Sequence, residues 1–385
     1  FERLSTITLL AVPLYILLGQ VLAVGGGGPP LIRLFNAFMG HIPGGPAYAI
    51  IVANVLLAAM CTTPIAGIAA FGPVMIPLLI GLGYSEKFSY GLVISSACLA
   101  PLIPPSITPI IYSFIASPLS PEPLSVTTLW TACMLPGIVI AVLLGITVYI
   151  HTKRGHYQKL PSATWAERWQ ALKEGWAIAI MPAIVLGPLY IGWATPTETA
   201  AIGLLYVVLI SIFIYHGLTL KRFWQASVMT VRVLGMVLCI VMGAVLLNVA
   251  LSYSRLPFDM ADWLADLGLN WWSFMIVNSL LFIVMGMFLD PSAIVMIATP
   301  LLIPTILGMG FSPIAYGVFV NLAVTLGNIT PPYGLSIFAS SGILGKKYEF
   351  LFSSCYLFIP ALVIGLALVA FVPSLSTWLP AVTGR

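Results

Sequence analysis

The chain has 385 residues, of which 60% are hydrophobic and only 7% are charged, and its formal net charge is +4. Soluble globular domains carry about 25% charged residues, so this composition excludes a soluble protein and predicts an all-α polytopic membrane protein, whose helices satisfy their own backbone hydrogen bonds. The small positive charge then belongs to loops that set orientation, and it does not indicate a nucleic-acid partner.

The first third of the chain alternates long and short apolar segments. Crossing the hydrocarbon core takes about 20 apolar residues, so Leu4–Val24 is predicted to span, while Leu31–Met39 is too short and is predicted to lie along the interface. Ala47–Met60 and Ile65–Ile80 are arms too short to cross, on either side of a polar tip, which predicts a re-entrant hairpin. Phe88–Ile115 is long enough to cross but contains a Pro-Pro pair, which predicts a broken helix.

The middle of the chain joins two spanning helices through a charged stretch. Leu129–Ile150 and Trp176–Trp193 are predicted to span. Between them, His151–Gly175 is the most charged stretch, and its spacing of apolar residues predicts an amphipathic surface helix. The remaining predicted segments are the spanning helices Thr197–Tyr215, Ser227–Leu251 and Phe350–Val372, the amphipathic stretch Asp259–Leu269, the hairpin arms Trp272–Met287 and Ser292–Leu307, and the broken helix Ile314–Leu344.

An internal repeat organises these segments. Five prolines recur at one constant repeat offset, which is the distance in sequence from Pro64 to Pro291, and two glycines recur at the same offset. The pairs are Pro64 and Pro291, Pro73 and Pro300, Pro77 and Pro304, Pro104 and Pro331, Pro105 and Pro332, Gly81 and Gly308, and Gly83 and Gly310. Interrupted apolar segments at matching positions of two halves indicate a transporter with its binding site at the interruptions.

The distribution of lysine and arginine predicts that the two copies are inverted. With His151–Gly175 in the cytoplasm, twelve of the 15 Lys and Arg residues fall on that side, and Arg3, Arg255 and Arg385 fall outside. The first hairpin then enters from the cytoplasm and the second from the opposite face, because Trp176–Trp193 adds one crossing between them.

The predicted organisation is therefore a first inverted repeat over residues 1–150, a cytoplasmic segment with a linker helix over 151–195, and a second repeat over 196–385. The helix that opens the second repeat, Thr197–Tyr215, has no counterpart one repeat offset earlier, because the chain does not extend that far. We therefore expect a matching helix before Phe1.

The hairpin tips and helix breaks are the candidate binding residues for sodium and substrate. A broken helix exposes carbonyls that bind cations and amides that attract anions. Sodium prefers several hard oxygen ligands, which these segments supply. The candidate residues are Cys61, Thr62, Thr63, Pro104, Pro105 and Ser106 in the first half, and Asp290, Asn321, Gly327, Asn328, Thr330, Pro331, Pro332 and Gly334 in the second.

Asp290 is the only acid deep in an apolar segment, and two interpretations of it stay open. A carboxylate inside the membrane is a functional hypothesis by default. An Asp that precedes Pro291 and Ser292 is equally well suited to cap the helix that follows. Glu198, which follows Thr195 at a helix start, is interpreted as structural.

Motifs for other chemistries are missing from the sequence. The five cysteines form no Cys-x-x-Cys pair, the four histidines are not grouped with acids, and no G-x-x-x-x-G-K-[ST] loop occurs. We therefore predict no transition metal, no cofactor and no ATP site. An intramembrane enzyme would need a catalytic dyad or a metal cluster, so the chain is predicted not to be an enzyme.

Six runs carry a resemblance to a known family and occur in order along nearly the whole chain. They are LLAVPLYILLGQ, HIPGGPAYAIIVANVLLAAM, LIPPSITPIIY, TPTETAAIGLLY, GMFLDPSAIVMIATPLLIP and NITPPYGLSIFASSGI. With these runs the chain resembles the large membrane subunit of tripartite ATP-independent periplasmic (TRAP) transporters.

The resemblance implies sodium-driven import of an organic anion, such as a C4-dicarboxylate, sialic acid or a sugar acid, across the bacterial inner membrane. It implies two protein partners, a periplasmic binding protein that delivers the substrate and a small four-helix membrane subunit. It also implies an elevator mechanism. The alternative is a self-sufficient sodium–dicarboxylate symporter of the related divalent-anion class, which has no such partners.

One motif departs from the family pattern. The first hairpin tip usually reads Ser-Gly-Ser and is followed by Ala-Asp, whereas here it reads Cys61-Thr62-Thr63 and is followed by Ala66-Gly67. The usual carboxylate is therefore missing at this position, which is compatible with a different substrate.

Overall fold

The computed structural model describes residues 7–121, 123–155, 157–254, 256–266, 268 and 270–383. Residues 4–6 of the predicted segment Leu4–Val24 and residues 267 and 269 of the predicted segment Asp259–Leu269 lie outside the described part. Arg3, Arg255 and Arg385, predicted on the outer face, also lie outside it.

Within the described part the chain is helical, with one 3₁₀ turn at Ser117–Leu119. The first helices are α1 (Ile7–Val24), α2 (Gly28–Met39), α3 (Gly45–Ala58), α4 (Pro64–Gly81), α5 (Glu86–Ala97), α6 (Ile107–Ala116), α7 (Val126–Arg154), α8 (Trp165–Ala179) and α9 (Met181–Ile191). The later helices are α10 (Pro196–Phe213), α11 (Leu220–Ser254), α12 (Leu256–Asp266), α13 (Trp271–Phe288), α14 (Pro291–Gly308), α15 (Pro313–Gly327), α16 (Leu335–Leu344), α17 (Tyr348–Cys355), α18 (Ile359–Phe371) and α19 (Ser374–Thr383).

The helix boundaries follow the repeat offset of the prolines. Both ends of α14 lie one repeat offset after those of α4. The ends of α12, α13, α15 and α16 lie within three residues of that spacing from α2, α3, α5 and α6. Pro64 and Pro291 each occupy the first helical position, where the missing N–H has no partner to lose. The Pro104-Pro105 and Pro331-Pro332 bonds are both cis and fall between helices.

The two halves pack on each other through reciprocal contacts. α4 packs against α16, and their counterparts α14 and α6 pack against each other. A two-fold relation between two copies produces this exchange of partners. Within each half an asparagine ties the first hairpin arm to the broken helix. Asn54 Nδ2 donates to Ser96 Oγ at 2.8 Å, and the Tyr316 hydroxyl donates to Asn278 Oδ1 at 3.0 Å.

The two hairpins open near opposite ends of α7, which has 29 residues and is therefore about 43 Å long. Beyond its C-terminal end, the Gln158 N–H donates to the Leu82 carbonyl at 3.0 Å, at the open end of the first hairpin. Near its N-terminal end, the Tyr112 hydroxyl donates to the Pro313 carbonyl at 2.7 Å, just after the open end of the second hairpin. The broken helices lie between these ends, and α5 from Phe88 to Ala97 is buried throughout.

Three of the four hairpin arms, α4, α13 and α14, are longer than the sequence indicated. Six helices in the described part are long and apolar enough to cross a membrane, or up to nine if three bent pairs each count as one span. α4, α13 and α14, with 18 residues each, are among the six. The expectation that both arms of the first hairpin are too short to cross is therefore wrong for α4. The reason is that α4 begins on Pro64 itself and continues to Gly81.

Two segments predicted as single helices are bent pairs. The prediction of one helix over Trp176–Trp193 is wrong, because α8 and α9 meet there at 42°. The prediction over Phe350–Val372 is wrong for the same reason, because α17 and α18 meet at 56°. Pro182 and Pro360 lie in the first turn of the second helix of each pair, and neither can donate a hydrogen bond to the preceding turn. α19 adds a helix that the sequence did not indicate.

We expect Gly327→Ala to destabilise the protein, because the new Cβ would lie 2.5 Å from the Ile283 carbonyl oxygen and 2.7 Å from Gly286 Cα in α13. Overpacking costs about 1–3 kcal/mol, so the midpoint of thermal unfolding in detergent should fall. The matched control is Gly235→Ala in α11, where nothing lies within 4 Å of the Cβ position. Equal midpoints for the two variants would contradict the close approach of α13 and α15.

Candidate functional site

The first hairpin tip is closed and rests on α1. Cys61 and Thr62 are buried, and the Cys61 thiol donates to the Gly19 carbonyl with Sγ 3.7 Å from the oxygen. Thr63 has extended backbone at the N-cap of α4. The hydroxyls of Thr62 and Thr63 make no hydrogen bond with other described residues. The tip therefore offers two free hydroxyls beside the start of a helix.

The first break lies between α5 and α6 and is buried along its whole length, from Cys98 to Ser106. Pro104 and Pro105 lie in this break and supply no backbone donor. The Ser106 carbonyl accepts a hydrogen bond from Trp130 Nε1 of α7 at 3.0 Å. The Ser106 hydroxyl is buried and unpartnered among the described residues.

The second hairpin tip contains the candidate carboxylate. Asp290 is the N-cap of α14, and its Oδ1 accepts a hydrogen bond from the Ser292 N–H at 2.8 Å. One side-chain oxygen is thus engaged in the cap that the sequence allowed. The side chain is half-buried. The capping geometry is present, and a charge role requires a transport measurement.

The second break is hydrogen-bonded to the second hairpin near its tip. Gly327 ends α15, and Asn328 is its C-cap. The Thr330 hydroxyl donates to the Leu326 carbonyl at 2.6 Å, and Pro331-Pro332 follows. Gly334 has φ of +49°, and its N–H donates to the Met287 carbonyl near the tip at 3.1 Å. A side chain there would be strained, because L residues rarely adopt this conformation.

Asn321 connects the two halves at the first break. Its Nδ2 donates to the Pro101 carbonyl at 2.7 Å, across 220 residues of chain. Its Oδ1 is buried without a partner among the described residues, as is Asn328 Oδ1. The structure therefore brings Asn321 to the first break and Gly334 to the second tip. No hydrogen bond within the described part joins the first tip to Asp290 or to the second break.

The family model for the DctM component of tripartite ATP-independent periplasmic transporters matches residues 1–375. The chain belongs to this family. This TRAP permease is 30% identical over 393 residues to the C4-dicarboxylate TRAP transporter large permease protein DctM of Rhodobacter capsulatus, across 100% of this chain and 89% of that protein. The resemblance found in the sequence is confirmed.

Other relatives are named for different solutes. The sialic acid TRAP transporter large permease protein SiaM of Vibrio cholerae is 28% identical, across 98% of this chain and 87% of that protein. The ectoine TRAP transporter large permease protein TeaC of Halomonas elongata is 30% identical, across 97% and 86%. The solved structure of the YdaH transporter of Alcanivorax borkumensis shares the fold, with a TM-score of 0.60 at 16% identity, across 97% of this chain and 85% of that one.

The permease is therefore a multi-pass protein of the bacterial inner membrane and a transporter subunit, not an enzyme. Its described residues contain no group of three or more His, Cys, Asp or Glu side chains that could hold a metal ion. The chemistry of the tips and breaks is thus that of hydroxyl, amide and carbonyl oxygens, with Asp290 as the acid.

Equivalent residues of the two halves differ in exposure. Cys61 is 1% exposed, whereas Phe288, its counterpart one repeat offset later, is 56% exposed. Ser106 is 0% exposed, whereas its counterpart Tyr333 is 42% exposed. The open second break lies toward the C-terminal end of α7, because the Tyr348 hydroxyl donates to the Pro332 carbonyl at 3.0 Å beside the ion pair of Lys346 and Glu86. The side chains at the first tip and break are thus buried, and their counterparts at the second are exposed.

The sequence did not indicate the side chains that hold the first break in place. Trp130, Tyr15 and Thr199 come from α7, α1 and α10, and the first two are fully buried aromatic residues in apolar helices. Only the need of a buried indole N–H for a partner could have marked Trp130. The carbonyl that it contacts could not be identified from the sequence.

A cavity of about 620 Å³ lies away from the tips and breaks. It is lined by residues of α2 and α8 and of the segment between α7 and α8, and it includes the exposed ion pair of Arg33 and Glu174, whose atoms are 3.1 Å apart. Its position on the charged end of the molecule separates it from the candidate ligands.

The two interpretations of Asp290 can be separated by two substitutions. Asn caps helices about as well as Asp, while replacement of a cap by Ala typically costs about 1 kcal/mol. We expect Asp290→Ala to lower the unfolding midpoint, and Asp290→Asn to leave it unchanged. Transport by Asp290→Asn then reports on the charge alone. Normal transport by this variant would mean that Asp290 acts only as a helix cap. Loss of transport at normal stability would mean that its negative charge takes part in transport.

Proposed function

We propose that this permease imports an organic acid anion together with sodium, by an elevator movement of the hairpins and broken helices against the other helices. The observation that carries the proposal is the unequal exposure of equivalent residues. Cys61 and Ser106 are buried, whereas their counterparts Phe288 and Tyr333 are open. Two copies of one unit that differ in access are expected of a carrier in one of its two states, since a site between such copies opens to one side at a time.

Oxygen chemistry at the breaks supports sodium as the coupling ion. Ser106 Oγ, Asn321 Oδ1 and Asn328 Oδ1 are buried without a partner among the described residues. An unpaired buried acceptor costs about 1–3 kcal/mol, which a coordinated cation offsets. Thr330 can add an oxygen, because its proton goes to Leu326 and its lone pairs stay free. A proton relay would need several carboxylates or histidines, and Asp290 is the only such residue at the tips and breaks.

Helix N-termini support an anionic substrate. α4 and α14 begin at the tips, and α6 and α16 begin directly after the breaks. A helix N-terminus attracts anions through its free amides and its dipole. The tips and breaks contain no Lys, Arg or His, so amides and hydroxyls would bind the substrate. C4-dicarboxylates, sialic acid and ectoine, for which the relatives are named, all carry a carboxylate.

Two partners complete the proposed transporter, a periplasmic binding protein that delivers the anion and a small four-helix membrane subunit. The family description as tripartite and periplasmic supports both. An apolar surface on α10 and α11 is suited to lipid and to such a subunit. Its exposed side chains include Ile202, Leu205, Leu209, Phe213, Val231, Leu238, Met242 and Leu246.

The moving body consists of α3–α6 and α13–α17, and the scaffold consists of α1, α7, α10, α11 and α18, with α2 and α12 as connecting arms. α17 is assigned to the moving body because it packs on α5, where a Cβ at Gly91 would overlap the Ser354 carbonyl oxygen. α18 packs instead on α7, with Gly365 against Ile140. The bend between α17 and α18 then serves as a hinge between the two bodies.

Uptake in proteoliposomes should require a sodium gradient, the binding protein and the small subunit. We expect uptake of the anion carried by the binding protein to stop when choline replaces sodium, and to stop when the binding protein is omitted. Uptake driven by a proton gradient without sodium would contradict the coupling. Full uptake without the binding protein would favour the self-sufficient symporter.

The position of the first tip on α1 allows a direct test of movement. A Cβ placed at Gly19 lies 3.8 Å from Cys61 Cβ, within the range of about 3.5–4.5 Å found in disulfides. Gly19→Cys should therefore form a disulfide with the native Cys61 under mild oxidation. Because Cys61 belongs to the moving body and α1 to the scaffold, we expect oxidation to abolish uptake and reduction to restore it.

Two controls accompany this variant. Gly19→Ala tests whether a side chain at this position is tolerated, since its Cβ would lie in contact with Cys61 Cα at 3.4 Å. Gly19→Cys combined with Cys61→Ser removes the bond but keeps both side chains. Both controls should transport equally before and after oxidation. Complete cross-linking at an undiminished transport rate would show that the first hairpin does not move against α1.

A further inference from the structure

Trp130 is the polar contact between the scaffold and the first break. Its side chain is fully buried in α7, and its Nε1 donates to the Ser106 carbonyl at 3.0 Å. Ser106 follows Pro105 and directly precedes α6, so its carbonyl belongs to the break itself. The same residue carries an unpartnered buried hydroxyl. A donor from the scaffold thus occupies one of the oxygens that a cation in this break would use.

The Trp130 ring is held by a second buried side chain. The Tyr15 ring of α1 lies edge-on to it, with centroids 5.7 Å apart at an interplanar angle of 81°. Tyr15 Oη is 2.9 Å from Thr199 Oγ1, and Thr199 donates its own proton to the Pro196 carbonyl. Tyr15 is therefore the donor to Thr199. Three scaffold helices, α1, α7 and α10, together fix the direction of the indole N–H.

We propose that Trp130 is a positioning residue through which the scaffold sets the sodium affinity of the first break. This inference rests on the proposed sodium-coupled elevator function. While the moving body is docked as in this structure, the indole N–H occupies the Ser106 carbonyl and weakens its attraction for a cation. When the body moves away from α7, the carbonyl loses this donor and becomes a stronger ligand.

The sign of this effect suits an importer. In the docked state the second break is open toward the charged end of the molecule, the predicted cytoplasmic side, where sodium must be released. In the other state sodium must be bound from the periplasm. A donor that competes with sodium only in the docked state lowers the affinity where release is needed. The sodium affinity of the first break can therefore differ between the two states while its ligands stay the same.

The test is sodium binding by the purified permease, measured as stabilisation against thermal unfolding while sodium chloride replaces potassium chloride at constant ionic strength. Trp130→Phe keeps an aromatic ring but removes the N–H, which leaves the Ser106 carbonyl unpaired unless sodium binds. We expect the sodium concentration at half-maximal stabilisation to fall roughly fivefold, as the net value of one hydrogen bond indicates. Tyr15→Phe, which loosens the indole, should give a smaller fall.

Trp271→Phe is the matched control. It makes the same chemical change at a tryptophan that stacks on Phe311 at 3.7 Å, at the open end of the second hairpin, and its sodium midpoint should equal that of the wild type. A purely structural role for Trp130 would lower stability with and without sodium and leave the midpoint unchanged. An unchanged or higher midpoint in Trp130→Phe overturns the inference. If this variant does not fold, an unchanged midpoint in Tyr15→Phe overturns it.

The outcome also separates this inference from the proposed function. A wild-type permease that is stabilised equally by sodium and potassium overturns the sodium coupling itself, whatever the variants do. A wild type that responds to sodium, together with Trp130→Phe at the same midpoint, overturns only the role of Trp130.

Discussion

An interrupted helix inside an apolar environment must find partners for the backbone groups that its break leaves unpaired, and the centre of this permease depends on how that requirement is met. Four amides or carbonyls lose their intrahelical partner at each new helix end, and lipid supplies no substitute. At the first break the partners come from Trp130 and Asn321. At the second break Gly334 donates to Met287 and Ser336 donates to Asn328. The hydrogen bonds of each break therefore decide which helices must stay together.

The two breaks occupy equivalent positions but do not contain the same chemistry. Asn321 and Gly334 have Ile94 and Ile107 as their counterparts in the first half, one repeat offset earlier. Besides the backbone bonds within its own turns, the first break takes polar partners from α7 and from the other half, while the second takes them from its own half. A break that is held by outside helices is buried, and one that is self-contained can face an opening. Local differences in side chains thus leave one of two similar breaks buried and the other exposed.

Much of the architecture could be predicted because proline acts locally. Pro64, Pro291 and the two Pro-Pro pairs end or begin helices through their missing N–H, so their repeated spacing predicted where α4, α14 and the breaks lie. The bends at Pro182 and Pro360 follow the same rule and were missed because the flanking residues are apolar throughout. The pairing of Trp130 with Ser106 could not be predicted, and neither could that of Asn321 with Pro101, because such pairs depend on which helices meet in the fold.

The proposed elevator movement would keep the contacts within the moving body and exchange those between it and the scaffold. Inside the body, α13 and α15 approach through Gly286 and Gly327, and the bond from Asn54 to Ser96 is buried. Between the two proposed bodies aromatic rings stack, as Phe88 does on His151, with ring centroids 4.3 Å apart. The thiol of Cys61, which contacts α1, is a weak donor. Sliding one apolar surface along another exchanges similar contacts, whereas separating α13 from α15 would lose the close packing of Gly286 against Gly327. Movement of the proposed body as a unit would preserve this packing.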